Sequence, residues 1–180
     1  MSVDKPFRII MHWTAGTNNV SDLDREHYHS ITDGNGLQHF GIHRPEANNN
    51  TSDGAYAAHT KNCNTGAIGM AMAAMHGTTP PEAALFDPGR NRINMIQLKC
   101  FVDHVAEMAE IYGIPTSGAE ILSHAEVQPT LGIKQNGKWD IAWLPGMERP
   151  GDPVHVGDIL RGMIVAARYV QRMRKGALII

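Results

Sequence analysis

Short apolar runs that end in polar turns alternate along this chain with two long stretches of helical periodicity, which predicts α/β layers. Phe7 to His12 is isoleucine-rich and stops at Gly16-Thr17-Asn18-Asn19, the mark of a buried first strand with His12 at its C-terminal end. Ser21 to Glu26, a cap followed by acids, predicts a helical turn or two. His27 to Thr32 and Leu37 to Ile42 flank Asp33-Gly34-Asn35-Gly36, whose residues tolerate positive φ, so the two runs should form a hairpin. Arg44 to Asn64 reads as a long surface loop, and Thr78 to Arg92, with three prolines, as a connector. The first half of Ala67 to Met75 reads as a second buried strand and Glu120 to His124 as a third, with a loop from there to Gly151. Ile93, Ile96, Leu98, Phe101, Val102, Val105, Met108 and Ile111 lie at helical spacing, and Gly113 and Pro115 end that helix. Val156 to Lys175 repeats Ile159, Leu160, Met163, Ile164, Ala167, Val170 and Met173 on one face, with a basic last turn. The expected fold is a single domain over residues 1–180, a central mixed β-sheet packed by helices.

Composition narrows the function classes. With 180 residues, 42% of them hydrophobic, the chain can bury one core without staples. The net charge of −2 with interspersed signs gives no reason to expect nucleic acid as a partner. Cys63 and Cys100 are too few for a disulfide framework. No signal peptide is expected in Met1 to Met11, and the longest apolar stretch near the C-terminus falls far short of the ~20 residues that cross a bilayer, so no stable membrane association is expected. A cytoplasmic setting and a monomeric state are expected.

Ten histidines are many for this length. His39, His43, His76, His104 and His155 fall in hairpin, loop or helix positions where ordinary exposed or hydrogen-bonded histidines occur. His12 and His124 each end an apolar run, where a side chain can project into a cleft beside a sheet. Two histidines and a carboxylate suit zinc, and a catalytic zinc keeps its fourth position for water. A competing pair is His27 and His29, one residue apart on a predicted strand and therefore on one face, with Tyr28 on the other. The helical His-Glu-x-x-His pattern of many zinc proteases is missing from the His124 segment.

In their order and spacing, these segments resemble the zinc-dependent N-acetylmuramoyl-L-alanine amidases, a family that includes phage endolysins, cytosolic recycling amidases and peptidoglycan recognition proteins. The similarity runs roughly from Phe7 to Leu144. His12-Trp13-Thr14-Ala15 resembles the strand end that carries the family's first ligand, and Tyr28-His29 with Asp33-Gly34 resembles its Tyr-His step and following turn. Ala58-His59 and Asn64-Thr65-Gly66-Ala67-Ile68-Gly69 are similar to its histidine loop and the entry to its middle strand. His124-Ala125-Glu126-Val127-Gln128-Pro129 resembles the second-ligand segment, and Lys138-Trp139-Asp140 the segment with the catalytic lysine and third ligand.

The resemblance implies Zn2+ held by His12, His124 and Asp140, with Tyr28 and Lys138 catalytic and His59, Trp13 and Asn64 placed to bind a peptidoglycan or muropeptide substrate. The implied reaction is hydrolysis of the amide between N-acetylmuramic acid and L-alanine, as in an endolysin that reaches the cell wall after release. A muropeptide-binding module without activity and a cytosolic recycling amidase are the alternatives. Two departures stand out: Ala71 occupies the place of the catalytic glutamate found in some members, and sixteen positions separate His124 from Asp140. Gly132 to Gly137 looks like an inserted turn within that gap, which leaves Glu126 as a reserve third ligand.

Overall fold

The computed structural model describes residues 2–177. Its centre is a five-stranded mixed sheet in the order β3-β2-β4-β1-β5. Strand β1 (Arg8–Trp13) lies between β4 (Ala67–Met72) and β5 (Ile121–Ser123), parallel to both. Strand β2 (Ser30–Thr32) runs parallel to β4 and pairs antiparallel with β3 (Gln38–Phe40). The central strands are buried along nearly their whole length, which is why they read as continuous apolar runs and not as alternating ones.

Side chains still alternate between the two faces. Ile9, Met11 and Trp13 of β1 join Ile68, Met70 and Met72 of β4 in the main core. That core is closed by Leu98, Phe101, Val102 and Val105 of α2 (Met95–Tyr112) and by Val156, Leu160 and Ile164 of α4 (Pro153–Ala177). Ile10 points to the opposite face, among Cys63, Ala67, Leu122 and Val127. His12 shares that parity, so β1 delivers an imidazole to the face away from α2 and α4.

Helix α2 begins at Asn94, whose side chain accepts from the Gln97 N–H, and ends at Gly113 in the left-handed conformation. Helix α1 (Asp22–His27) is short and opens on a reciprocal Ser21–Asp24 capping box. Periodicity overstated the buried faces of the long helices: Ile96, Ile111, Ile159, Val170 and Met173 are exposed.

Two expectations are corrected. The hairpin forms, but its strands are only three residues each and His27 is the last residue of α1, so His27 and His29 do not share a strand face. The stretch after β5 is not a loop: α3 (His124–Leu131) starts directly at His124. Ser123 and Glu126 form the N-terminal signature, with the Glu126 carboxylate accepting the Ser123 N–H at 2.7 Å. Pro129, a breaker in the sequence, is accommodated inside this short helix, which Gly132 closes in the left-handed conformation. No helix among the described residues is long and apolar enough to cross a membrane.

Candidate metal centre

The parallel strands β1 and β5 are neighbours, and functional groups in open α/β sheets gather outside the C-terminal ends of such strands. His12 is the penultimate residue of β1 and His124 the first residue after β5. Asp140 arrives from the segment after α3, and its backbone carbonyl accepts the Ala125 N–H at 2.8 Å, which ties it to the start of α3. Ile141, fully buried behind it, holds φ at +29°, an uncommon value for a β-branched residue.

The three side chains converge. His12 Nδ1 lies 3.2 Å from Asp140 Oδ2 and 3.1 Å from His124 Nδ1, and His124 Nδ1 lies 3.2 Å from the same Asp140 oxygen. A tetrahedral zinc with bonds of about 2.0–2.1 Å has ligand–ligand edges of about 3.3 Å, so this triangle has the size of one face of the tetrahedron. All three residues are buried, and the two ring nitrogens and the carboxylate oxygen turn toward one another. A single proton cannot satisfy three such atoms at once; a cation at their common point can. The donor set therefore fits a divalent metal with nitrogen and oxygen ligands, zinc among them.

Burial sets the charge states. It lowers the His12 pKa to about 4, against the upward pull of its hydrogen bond to Asp140, so the ring is neutral at pH 7. Burial alone would raise the Asp140 carboxyl, but its contacts with His12 and His124 outweigh that and hold it well below the usual carboxylate range. The site thus offers a neutral His12 imidazole and the Asp140 carboxylate beside the His124 ring.

The outward nitrogens are held as well. His12 Nε2 faces His59 Nδ1 at 3.2 Å and Thr60 Oγ1 at 3.3 Å. Burial, reinforced by the neighbouring His12 and His29, keeps His59 well below its ordinary pKa. Its ring lies against β4, where a β-carbon at Gly69 would collide with it. His29 is fully engaged elsewhere: its Nδ1 accepts the Gly69 N–H at 2.9 Å and its Nε2 donates to Asn48 Oδ1 at 3.0 Å. His27 Nδ1 is bonded to the Leu23 carbonyl at 2.9 Å. The competing histidine pair is thereby taken apart.

A cleft of about 350 Å³ opens over the triangle, lined by Trp13, Thr14, Tyr28, His59, His124, Lys138 and Asp140 among others. Tyr28, at the end of α1, sets its ring 5.1 Å from that of His12. Burial, with Asp140 and Asp24 adding to it, pushes its hydroxyl well above the ordinary tyrosine pKa, so it stays protonated. The tyrosine also packs against the small cluster of Ile31, Ala71 and Ala73, and Ala71 pairs with His12 in the β1–β4 register. Lys138 is exposed at the mouth of the cleft.

Of the residues expected to touch substrate, Trp13 is 5% exposed and stacks edge-on to Trp139 with centroids 4.6 Å apart, so its rim alone faces the cleft. Asn64 is turned inward: its Oδ1 accepts the N–H groups of His59 and Thr60 at 3.1 and 2.8 Å and shapes their loop. Glu126, the reserve ligand, is fully buried against Arg161, with Nη1 2.8 Å from Oε1, and is not among the convergent ligands. Sequence reasoning missed Thr60, Asn48 and Gln135. Asn48 has no exposed surface and bonds to His29, to both backbone groups of Ala57 and to the Asn64 carbonyl, but nothing distinguishes it from its neighbours Asn49 and Asn50 in the sequence.

No protein-family model matches the sequence, and no curated protein sequence does. Among solved structures, the fold is similar to the endolysin of the Thermus scotoductus bacteriophage Ph2119, with a TM-score of 0.45 and 16% identity over 71% of this chain and 77% of that one. It is similar to a chain in the complex of tracheal cytotoxin with the ectodomains of peptidoglycan recognition proteins LCa and LCx, with a TM-score of 0.45 and 16% identity over 69% of this chain and 74% of that one. It is also similar to the N-acetylmuramoyl-L-alanine amidase LysC from Clostridium intestinale, with a TM-score of 0.42 and 15% identity over 72% of this chain and 87% of that one.

Proposed function

We propose that this protein is a zinc-dependent N-acetylmuramoyl-L-alanine amidase that cuts peptidoglycan, acting as an endolysin on the cell wall. The observation that carries the reading is the buried triangle of His12, His124 and Asp140 under a cleft lined by Tyr28 and Lys138. The amidase-like motifs lie far apart in the chain, with 128 positions between His12 and Asp140, and their side chains meet in this one place. His12, His124 and Asp140 would hold the metal. Bound there, zinc would supply a Lewis acid that activates water for attack.

The remaining chemistry falls to the chain's own groups. Tyr28, kept protonated by its surroundings, orients the attacking water and the carbonyl by hydrogen bonding and does not act as a free base. Lys138 places an ammonium at the mouth of the cleft, where it stabilises the oxyanion as water oxygen bonds to the lactyl carbonyl carbon. The carbon–nitrogen bond then breaks, and the proton released by water goes to the leaving amine of L-alanine. Trp13 and His59 border the space a sugar or peptide would occupy, while Asn64 acts on substrate only through the loop it shapes. Ala71 places no carboxylate beside His12, which favours the tyrosine-dependent lysin over a recycling enzyme with a glutamate.

The test is to incubate purified protein with purified sacculi, with and without a chelator, and to identify the new ends by mass spectrometry. Free lactyl carboxylates paired with alanine amino termini, abolished by chelation and restored by zinc, are expected. Binding to sacculi that remain uncut would replace this reading with a recognition module.

A further inference from the structure

We infer that Gln135 is a positioning residue for the metal site: it fixes the ring tautomer and orientation of His124. The inference rests on the reading of the His12–His124–Asp140 triangle as a metal centre. Gln135 lies in the turn that follows α3, is 5% exposed and reaches three separate parts of the site. Its Oε1 is 2.9 Å from His124 Nε2, its Nε2 is 2.9 Å from the Lys61 carbonyl oxygen, and its backbone N–H donates to Gln128 Oε1 at 2.9 Å.

These contacts settle which atom is which. A backbone carbonyl only accepts, so the side-chain atom facing Lys61 must be the NH2 group, and the atom facing His124 must be the carboxamide oxygen. An amide oxygen also only accepts, so His124 Nε2 must carry the ring proton. The ring's other nitrogen, Nδ1, is then left with its lone pair directed at His12 Nδ1 and Asp140 Oδ2. The Lys61 carbonyl thus sets, through one glutamine, the nitrogen with which His124 can bind a metal. A ligand histidine whose outer N–H is held by a protein acceptor is better oriented and more basic, and removing such a partner typically lowers metal affinity about 10–100-fold.

The same side chain couples two loops. Lys61 follows the His59–Thr60 pair that faces His12, and the Gln135 carbonyl accepts the Lys138 N–H at 3.3 Å. Glutamine suits this place because it must accept from a ring and donate to a carbonyl across one planar group. Leucine matches its bulk and does neither. Glutamate can accept from His124 but cannot donate to Lys61.

Zinc affinity of the full chain, prepared metal-free and titrated against a chromophoric chelator, tests the inference. For Gln135→Leu the dissociation constant should rise about 10–100-fold, while Gln135→Glu should stay close to wild type because it keeps the acceptor. Long-range 1H–15N spectra of the metal-free wild type should show His124 protonated at Nε2, and Gln135→Leu should lose that single-tautomer pattern. Thermal unfolding of the metal-free variants separates these effects from a loop strut: both substitutions break the Lys61 contact, so a strut predicts similar destabilisation with unchanged zinc affinity. Wild-type affinity in Gln135→Leu, or a His124 ring protonated at Nδ1, overturns the inference and leaves the metal centre intact. A wild type that binds no zinc overturns both.

Discussion

Two buried carboxylates, Asp140 and Glu126, stand close to the same helix terminus and differ in what faces them. Glu126 accepts the Ser123 N–H and lies against Arg161, whose other carboxylate partner is Asp158 at 2.7 Å. A β-carbon at Gly157 would overlap its carboxyl group, so α4 closes the pocket with a glycine. Burial dominates and raises the pKa of this carboxyl against the Ser123 and Arg161 contacts that pull it down. Asp140 has no arginine or lysine pairing with it among the described residues; two imidazole rings face it, and its carboxyl is held well below the ordinary range. One carboxylate faces a guanidinium of the chain and the other faces two imidazoles. Burial and the charge of the residue are shared by both, so neither identifies a ligand; the partners do.

That contrast can be broken in several ways. Asp140→Ala should abolish zinc binding and activity together, measured by metal content and by the release of new ends from sacculi, while the fold persists in circular dichroism. Glu126→Gln should retain zinc. Arg161→Ala should act through stability alone, costing about 3–5 kcal/mol because it strands a buried carboxylate, read from denaturant unfolding with zinc affinity unchanged in the folded fraction. If Arg161→Ala instead released zinc at unchanged stability, the assignment of the two carboxylates would have to be exchanged.

Smaller effects separate chemistry from metal binding. Lys138→Ala and Tyr28→Phe should each lower kcat about 10²–10³-fold while the zinc content stays at the wild-type level, as expected for groups that stabilise or orient the reacting atoms. The pH dependence of the metal-free protein follows from its buried histidines: the folded pKa of His12 and of His29, about 4, lies below the ordinary 6.5, and burial lowers that of His59 as well. Between these values the unfolded chain binds more protons than the folded one, so stability is full above pH 6.5 and falls as pH drops toward 4. Each ring contributes at most about 1.4 kcal/mol per pH unit in that window. Urea unfolding at pH 7 and pH 5 should show the loss, and His29→Gln should reduce its slope.

Much of the scaffold was legible because strong local signals and the final packing agree. The isoleucine run before His12, the Asp-Gly-Asn-Gly turn and the Gly113 stop of α2 all follow from local rules. Helix α3 was hidden by Pro129, which reads as a breaker, although the Ser123-x-x-Glu126 signature stood three residues apart in plain view. His27 and His29 looked like a pair only while Tyr28 was assumed to lie on a strand; the Ser21 cap extends α1 to His27 and removes that periodicity. The convergence of His12, His124 and Asp140 was suggested by motif order, whereas the geometry that makes it a site depends on non-local contacts. Gln135 had no local signal at all: its role depends on the Lys61 carbonyl 74 positions earlier, a distance no spacing rule covers.

The most direct test of the metal centre is zinc K-edge X-ray absorption on the zinc-loaded full chain. The expected spectrum contains only nitrogen and oxygen neighbours at about 2.0–2.1 Å, with multiple scattering from two imidazoles that falls to one in His124→Ala. A sulfur neighbour at about 2.3 Å, or a wild-type spectrum unchanged by His124→Ala, would place the ion elsewhere and contradict the account.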